Sequence, residues 1–181
     1  MERGFYSLGT MNMVHIEENE KQEEQRAVLL EIEKEVSKLD DLLSVFKEES
    51  EIARINRMAG EKPVRVHPIT FSLIQRAIFF AEQSEGAFDI TICPAMGLWN
   101  IGHQGERIPT EEERKEKKHL VDYHCIKLEE KEQTVYLQQK GQALDLGGIA
   151  KGFAVDFTVK KLRENGFFHA LINFGGTVYC I

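Results

Sequence analysis

Cysteine is scarce in this chain. Cys93, Cys125 and Cys180 are odd in number and lack metal-ligand spacing, which excludes a disulfide framework and a zinc site and leaves buried thiols as the expectation. No apolar run approaches the roughly 18 residues that a membrane-spanning helix needs. The N-terminus lacks the basic region and apolar stretch of a signal peptide, so the chain as given reads as carrying none. Basic charge is short too, with 23 Lys and Arg against 30 Asp and Glu and a formal net charge of -7. No basic stripe is present to displace counterions from a phosphate backbone, so no nucleic-acid partner is expected. The six histidines, His15, His67, His103, His119, His124 and His169, show no paired metal spacing, and none is assigned a role as ligand or base. Ser44 and Ser50 lie near no sequence-evident base, which speaks against a serine hydrolase.

What the chain does have suits one globular domain over residues 1–181: a hydrophobic content of 42% is enough for a sizeable core, and no linker or internal repeat is visible. The acidic excess sits mostly in Glu17 to Glu35 and Glu48 to Glu51 and reads as solvated helix faces. Phe5 to Ile16 reads as a strand kinked at Leu8-Gly9-Thr10. Val28, Ile32, Val36, Leu39, Leu43 and Phe46 follow at helical spacing, the core stripe of a long amphipathic helix. Pro68 opens a second helix, with Ile69, Leu73, Ala77 and Phe80 as its buried stripe as far as Ser84. Ala87 to Ile92 is strand-like. Thr110 with Glu113 has capping-box spacing for a short charged helix. Strands near Cys125 to Leu128 and Thr134 to Gln139 form a hairpin around Glu129 to Gln133, and Leu171 to Ile181 is again strand-like. The expected class is α+β, helices packed on a largely antiparallel sheet.

Chemistry concentrates in Asp145-Leu146-Gly147-Gly148-Ile149-Ala150-Lys151-Gly152. Gln142 to Leu146 reads as a short strand, and Ile149, Phe153, Phe157 and Leu162 recur at near-helical spacing until Asn165-Gly166 ends the helix. A glycine corner at a helix start offers unpaired N–H groups, partial positive charge and close approach to the backbone, and Lys151 adds a full charge. Asp145 would repel phosphate, which points to hydrogen bonding with a ribose or base, or to support of a cation. Taken alone, the octapeptide fits an ordinary Gly-Gly turn with a surface lysine equally well. It matches neither the dinucleotide nor the P-loop glycine pattern. Asp89, between Phe88 and Ile90, needs a partner, either a neighbouring backbone N–H or a ligand.

This octapeptide resembles the signature of the ApbE family, the FAD:protein FMN transferases. Four further segments resemble that family in order: Leu8-Gly9-Thr10; Leu43-Ser44-Val45-Phe46 running through Ser50-Glu51-Ile52 to Asn56; Gly86-Ala87-Phe88-Asp89-Ile90-Thr91 with Pro94 and Leu98-Trp99; and Asn173-Phe174-Gly175-Gly176. The resemblance implies that Leu8, Phe46, Ala87, Phe88, Asp89, Asp145 and Lys151 contact FAD and that the backbone carbonyl of Gly148 ligates Mg2+. Phe46 stands where the family has a flavin-contacting Tyr, keeping the aromatic surface without the hydroxyl. Leu8 replaces a Met, and Thr177 stands where Asn or Asp is frequent. The implied reaction transfers FMN from FAD to a threonine hydroxyl of an acceptor flavoprotein and releases AMP.

Family members continue past the Gly-Gly strand end into a segment that supplies the Asp and Thr ligands of the magnesium site, so the chain resembles the family's N-terminal part and its catalytic residues are expected outside it. Three readings follow: a transferase domain, an FAD-binding or FAD-hydrolysing relative that yields FMN and AMP, and a non-catalytic remnant. Self-association through the open sheet is a further expectation. Compartment stays open, because many members of the family are exported and membrane-anchored.

Overall fold

The computed structural model describes residues 1–17, 20–100 and 105–181; His103 and Glu18 lie outside the described residues. The chain divides into two units, one built from Met1–Asp41 with Gly147–Ile181 and the other from Leu42–Leu146. Among the described residues no helix is long and apolar enough to cross a membrane.

The first unit is organised by two tight hairpins. Strands β1 (Glu2–Ser7) and β2 (Thr10–Ile16) pair antiparallel in register from Glu2 opposite His15 to Ser7 opposite Thr10. Only Leu8 and Gly9 separate them, both at positive φ, 53° and 71°. A two-residue turn with both residues left-handed matches the natural twist of the strands. The expected kinked strand is therefore a hairpin, and Leu8 carries the strain that a glycine would avoid. Leu171 to Ile181 likewise divides, into β6 (Ala170–Phe174) and β7 (Thr177–Cys180) around Gly175 and Gly176 at φ 56° and 91°. A Cβ on Gly175 would lie 2.7 Å from Cγ2 of Thr10, so glycine is required there for space as well as for conformation. The sheet order is β1-β2-β6-β7, all antiparallel.

One face of this sheet is apolar because alternate residues point the same way: Phe5, Val14, Ile16, Ile172 and Phe174 are all buried. Helix α1 (Gln22–Leu43) brings Val28, Ile32, Val36 and Leu39 to the core of this unit, and Ser7 Oγ donates to the Val36 carbonyl at 3.3 Å. The stripe ends at Leu43. Phe46 lies beyond the helix and is 84% exposed, so it is not the stripe's last member.

The second long helix of this unit, here numbered α6 because four helices intervene, spans Gly147–Glu164 and packs on β6 and β7. Its buried residues are Ala150, Ala154, Val155, Thr158, Val159 and Leu162. The expected stripe of Ile149, Phe153 and Phe157 is thus displaced by one position, and those three are only half-buried. Small residues let the helix approach the sheet closely, and Thr158 Oγ1 donates to the Ala154 carbonyl at 2.8 Å, which makes its burial tolerable. The helix ends as expected at Asn165-Gly166: Gly166 has φ 80°, its N–H bonds the Arg163 carbonyl, and the Phe167 N–H bonds the Leu162 carbonyl. This double bond pattern with Phe167 and Leu162 buried is a Schellman stop.

The second unit contains α2 (Glu51–Arg57), β3 (Val64–Arg65), α3 (Pro68–Gln83), α4 (Cys93–Met96), α5 (Glu111–Lys118), β4 (Ile126–Glu129) and β5 (Thr134–Leu137). The expected hairpin is β4 with β5, and β3 extends it into a three-stranded antiparallel sheet, so the described residues form two sheets rather than one. The α+β class holds. Helix α3 begins at Pro68 behind His67, whose Nδ1 accepts from Ile69 N–H, and it buries Phe71, Leu73, Ile74, Ala77 and Ala81. Phe80 instead is 41% exposed, in edge-to-face contact with Phe79.

The Thr110 capping box of α5 is present with both of its bonds, and Arg107 grips Glu113 through two 2.8 Å bonds. The Arg107 hydrogen bond first, then the Thr110 backbone N–H, hold the Glu113 carboxyl at about 2, below its ordinary 4.5. A depressed carboxyl contributes stability above its unfolded value and loses it as pH falls through its folded one. Protection from amide exchange at the start of α5 is therefore expected to fall progressively between about pH 4.5 and about pH 2, and Glu113→Gln abolishes that dependence. Protection unchanged from about pH 5 to about pH 2 in the unmodified chain would contradict this.

Candidate functional site

The second unit gathers Ala87, Phe88, Asp89 and Asp145 around one irregular stretch. Ala87 to Ile92 is not a strand: Ser84 closes α3, Glu85 and Gly86 turn at positive φ, and Ile90–Ile92 forms a 3-10 turn that leads into α4. Asp89 caps that turn. Its Oδ1 accepts from Thr91 N–H at 2.8 Å and from Thr91 Oγ1 at 2.7 Å, and its Oδ2 accepts from Tyr123 N–H at 3.0 Å. Thr91 Oγ1 in turn accepts from Asp122 N–H at 2.8 Å. Asp89 thus has the backbone partner that a half-buried carboxylate requires, and the loop holding Ala87 and Phe88 is stitched to Asp122 and Tyr123.

Asp145 reaches the same place from the other end of the unit. Gln142 to Leu146, expected as a short strand, is irregular and pairs in no ladder among the described residues. Individual side-chain and backbone bonds hold it instead: Gln142 Nε2 donates to the Asp122 carbonyl at 2.9 Å, the Leu144 peptide is held by the Asn56 side chain, and the Asp145 N–H donates to the Ile90 carbonyl at 2.8 Å, while the Gln142 side-chain oxygen is buried without a partner among the described residues. Cys93 lies near enough to Asp145 to feel its charge. Burial first, and the Asp145 carboxylate second, push the Cys93 thiol up, which favours its neutral form. Neighbouring Asp122 is held low chiefly by its hydrogen bond from the His124 ring.

Phe46 belongs to the same unit, in the loop between α1 and α2. Its N–H donates to Ser44 Oγ at 3.2 Å, and its ring is exposed. The first unit carries the remaining three residues. Leu8 is half-buried in the β1-β2 turn; Gly148 is exposed as the second residue of α6; Lys151 is the fifth. Gly147 and Gly148 are helical, so the pair is a helix start and not a turn. Side chains on a helix lean toward its N-terminus, which directs Lys151 back along the first turn. Among the described residues Lys151 has no ion-pair partner.

The donors for a metal are thin. Among the described residues no three His, Cys, Asp or Glu side chains are grouped to hold an ion. One carbonyl, that of Gly148, does not make the octahedral oxygen set that magnesium takes. Sequence reasoning did not foresee Thr91 and Tyr123 as the partners of Asp89; the one local signal was an Asp two residues before a Thr, a pattern in which the carboxylate caps a turn.

Residues 8–181 match the ApbE family. A Treponema pallidum protein named FAD:protein FMN transferase is 33% identical over 179 residues, covering 96% of this chain and 49% of its own length. A Klebsiella pneumoniae protein of the same name is 37% identical over 146 residues, covering 81% of this chain and 46% of its own length. Among solved structures, an ApbE protein from Thermotoga maritima superposes with a TM-score of 0.85 at 28% identity, covering all of this chain and 58% of its own. The flavin transferase ApbE from Vibrio cholerae superposes at 0.90 and 23% identity, a likeness of fold. The chain spans about half the length of the curated relatives it matches.

Proposed function

The chain belongs to the ApbE family, a family of flavin transferases, and we propose that it forms the FAD-holding part of an FAD:protein FMN transferase. The observation that carries the reading is the 33% identity that runs through 179 residues to a relative of that name. Leu8, Phe46, Ala87, Phe88, Asp89, Asp145 and Lys151 are the proposed FAD contacts. The Phe46 ring supplies a stacking surface, Asp145 accepts hydrogen bonds from nucleotide hydroxyl or amino groups, and Lys151 offsets charge on the pyrophosphate. Asp89 already braces its loop through Thr91 and Tyr123, so its part is to hold Ala87 and Phe88 against the ligand.

In the reaction, a threonine hydroxyl of an acceptor flavoprotein attacks the FMN-side phosphorus. A new oxygen–phosphorus bond forms, the bond to the AMP phosphate breaks, AMP leaves with the electron pair, and the hydroxyl proton passes to solvent. Catalysis of this kind is mostly positioning and charge stabilisation. The carbonyl of Gly148 is proposed as one oxygen donor to magnesium, whose chemistry is to neutralise pyrophosphate charge. The described residues do not complete such a site, and the roles given to the protein groups do not depend on the ion.

The test is a fluorescence titration with FAD, followed by mass spectrometry of a threonine-bearing flavoprotein domain incubated with the chain, FAD and magnesium. Saturable binding is expected of the FAD-holding part, and an acceptor heavier by one FMN is the mark of transfer. Free FMN and AMP beside an unmodified acceptor would replace transfer by hydrolysis, and absence of FAD binding would overturn the reading.

A further inference from the structure

Asn56 makes both hydrogen bonds of a strand pair with a single side chain. Its Oδ1 accepts from the Leu144 N–H at 2.7 Å and its Nδ2 donates to the Leu144 carbonyl at 3.0 Å, across 88 residues of sequence. Leu144 is fully buried, and its segment has no ladder to fall back on. The next residue is Asp145, whose own N–H is taken by Ile90. Asn56 and Ile90 thus both hold the backbone that leads into the Asp145 carboxylate.

The same short helix ties down Phe46 at its other end. Ser50 caps α2 by accepting from Ala53 N–H at 3.0 Å, and its hydroxyl donates to the Ser44 carbonyl at 2.5 Å, while Ser44 Oγ accepts from Phe46 N–H. One seven-residue helix thus anchors two segments that are far apart in sequence, each carrying a proposed FAD contact.

We propose that Asn56 is a positioning residue for FAD recognition, acting on Asp145 through the Leu144 peptide; this rests on the reading of Asp145 as an FAD contact. An amide is the side chain that fits, because it presents a donor and an acceptor side by side. Aspartate keeps only the acceptor, and alanine leaves a buried N–H and carbonyl unpaired. Sub-ångström drift of a binding group is costly, since misplacement by about 1 Å can cost up to about a hundredfold.

The experiment is a double-mutant cycle in the full chain, read by FAD titration and by amide exchange at Leu144. Asn56→Ala is expected to weaken FAD binding by about tenfold in the unmodified background and by less than about twofold in the Asp145→Ala background, because a residue that acts through Asp145 has nothing left to position. A residue that merely supports the fold would cost the same factor in both backgrounds, and that result overturns the inference. Asn56→Asp, which keeps the bond from the Leu144 N–H, is expected to fall between the two and serves if the alanine variant does not fold. Unchanged Leu144 exchange in Asn56→Ala overturns the clamp whatever FAD does. An unmodified chain that does not bind FAD overturns the proposed function, and this inference with it.

Discussion

Replacing Phe174 by alanine is expected to destabilise the first unit by about 3–5 kcal/mol, the range for emptying a fully buried phenylalanine site. The ring is wholly buried at the end of β6 and meets Phe5 edge to face, with centroids 5.8 Å apart and planes at 79°. It stands opposite Asn12 on β2 and Thr177 on β7, so its loss opens a cavity under both hairpins together. Little relaxation is available there. Gly175 follows at positive φ against Thr10, and Asn12 holds the neighbouring turn through Nδ2 bonds to the Ser7 and Thr10 carbonyls. The Asn12 Oδ1 is already buried without a partner among the described residues, so the new space admits water beside it rather than closing.

Thermal unfolding followed by circular dichroism is expected to show a midpoint lowered by on the order of 10 °C, at about 2–4 °C per kcal/mol for a chain of this size. Phe174→Leu, which keeps most of the volume, is expected to cost about 1.5 kcal/mol or less. Phe46→Ala is the control: that ring is exposed, so stability should change by no more than about 0.5 kcal/mol. Equal midpoints for Phe174→Ala and the unmodified chain would mean that the two hairpins do not share this ring as their common support.

The contrast between these phenylalanines shows what the sequence makes legible. Helical spacing located α1 and α3, because an apolar stripe is a local property of consecutive turns, and the stop of α6 was readable from Asn165-Gly166. Spacing did not reveal that the stripe of α1 ends at Leu43 while Phe46 points to water. Hydrophobicity alone carries no mark of function. On α6 the large aromatics Phe153 and Phe157 stand out in the sequence, yet the buried face includes the small residues Ala150, Ala154 and Thr158 beside Val155, Val159 and Leu162, since close approach to a sheet favours small side chains. The hairpins at Leu8-Gly9 and Gly175-Gly176 were read as single strands because a two-residue turn barely interrupts a run of strand-forming residues.

At the candidate site, residue identities were readable and their supports were not. Asp89 announced itself as an acid among apolar neighbours, but its partners are a hydroxyl two residues away and an amide 34 residues away. Gln142 to Leu146 reads as a strand in the sequence; what it lacks among the described residues is a neighbouring strand, and the Asn56 side chain bonds the Leu144 peptide instead. Long-range side-chain to backbone bonds leave no periodicity behind, which is why the scaffold of the site emerges only in three dimensions.

Lys151→Met is expected to weaken FAD binding by about ten- to a hundredfold while leaving riboflavin binding unchanged. Hydrogen bonds to charged groups contribute about 1.5–3 kcal/mol, and about 1.4 kcal/mol is tenfold in affinity. The residue is the fifth of α6, half-buried, with no ion-pair partner among the described residues, and the first two residues of the helix are glycines. Nothing in the fold requires the charge. A cation near a helix N-terminus opposes the helix dipole, an effect of about 0.3–1 kcal/mol. The methionine variant should therefore be as stable as the unmodified chain or slightly more so, and a ligand that brings phosphate charge reverses that balance. Lys151→Arg keeps the charge on a longer, planar group and should retain part of the affinity. Because riboflavin lacks phosphate, the FAD-to-riboflavin comparison isolates the pyrophosphate contribution from stacking. Raising salt should narrow the gap between the unmodified chain and Lys151→Met, since screening acts on the charge and not on the ring. An equal loss for FAD and riboflavin would place Lys151 away from the phosphates, and a loss of stability without a loss of affinity would make it a brace for the helix start.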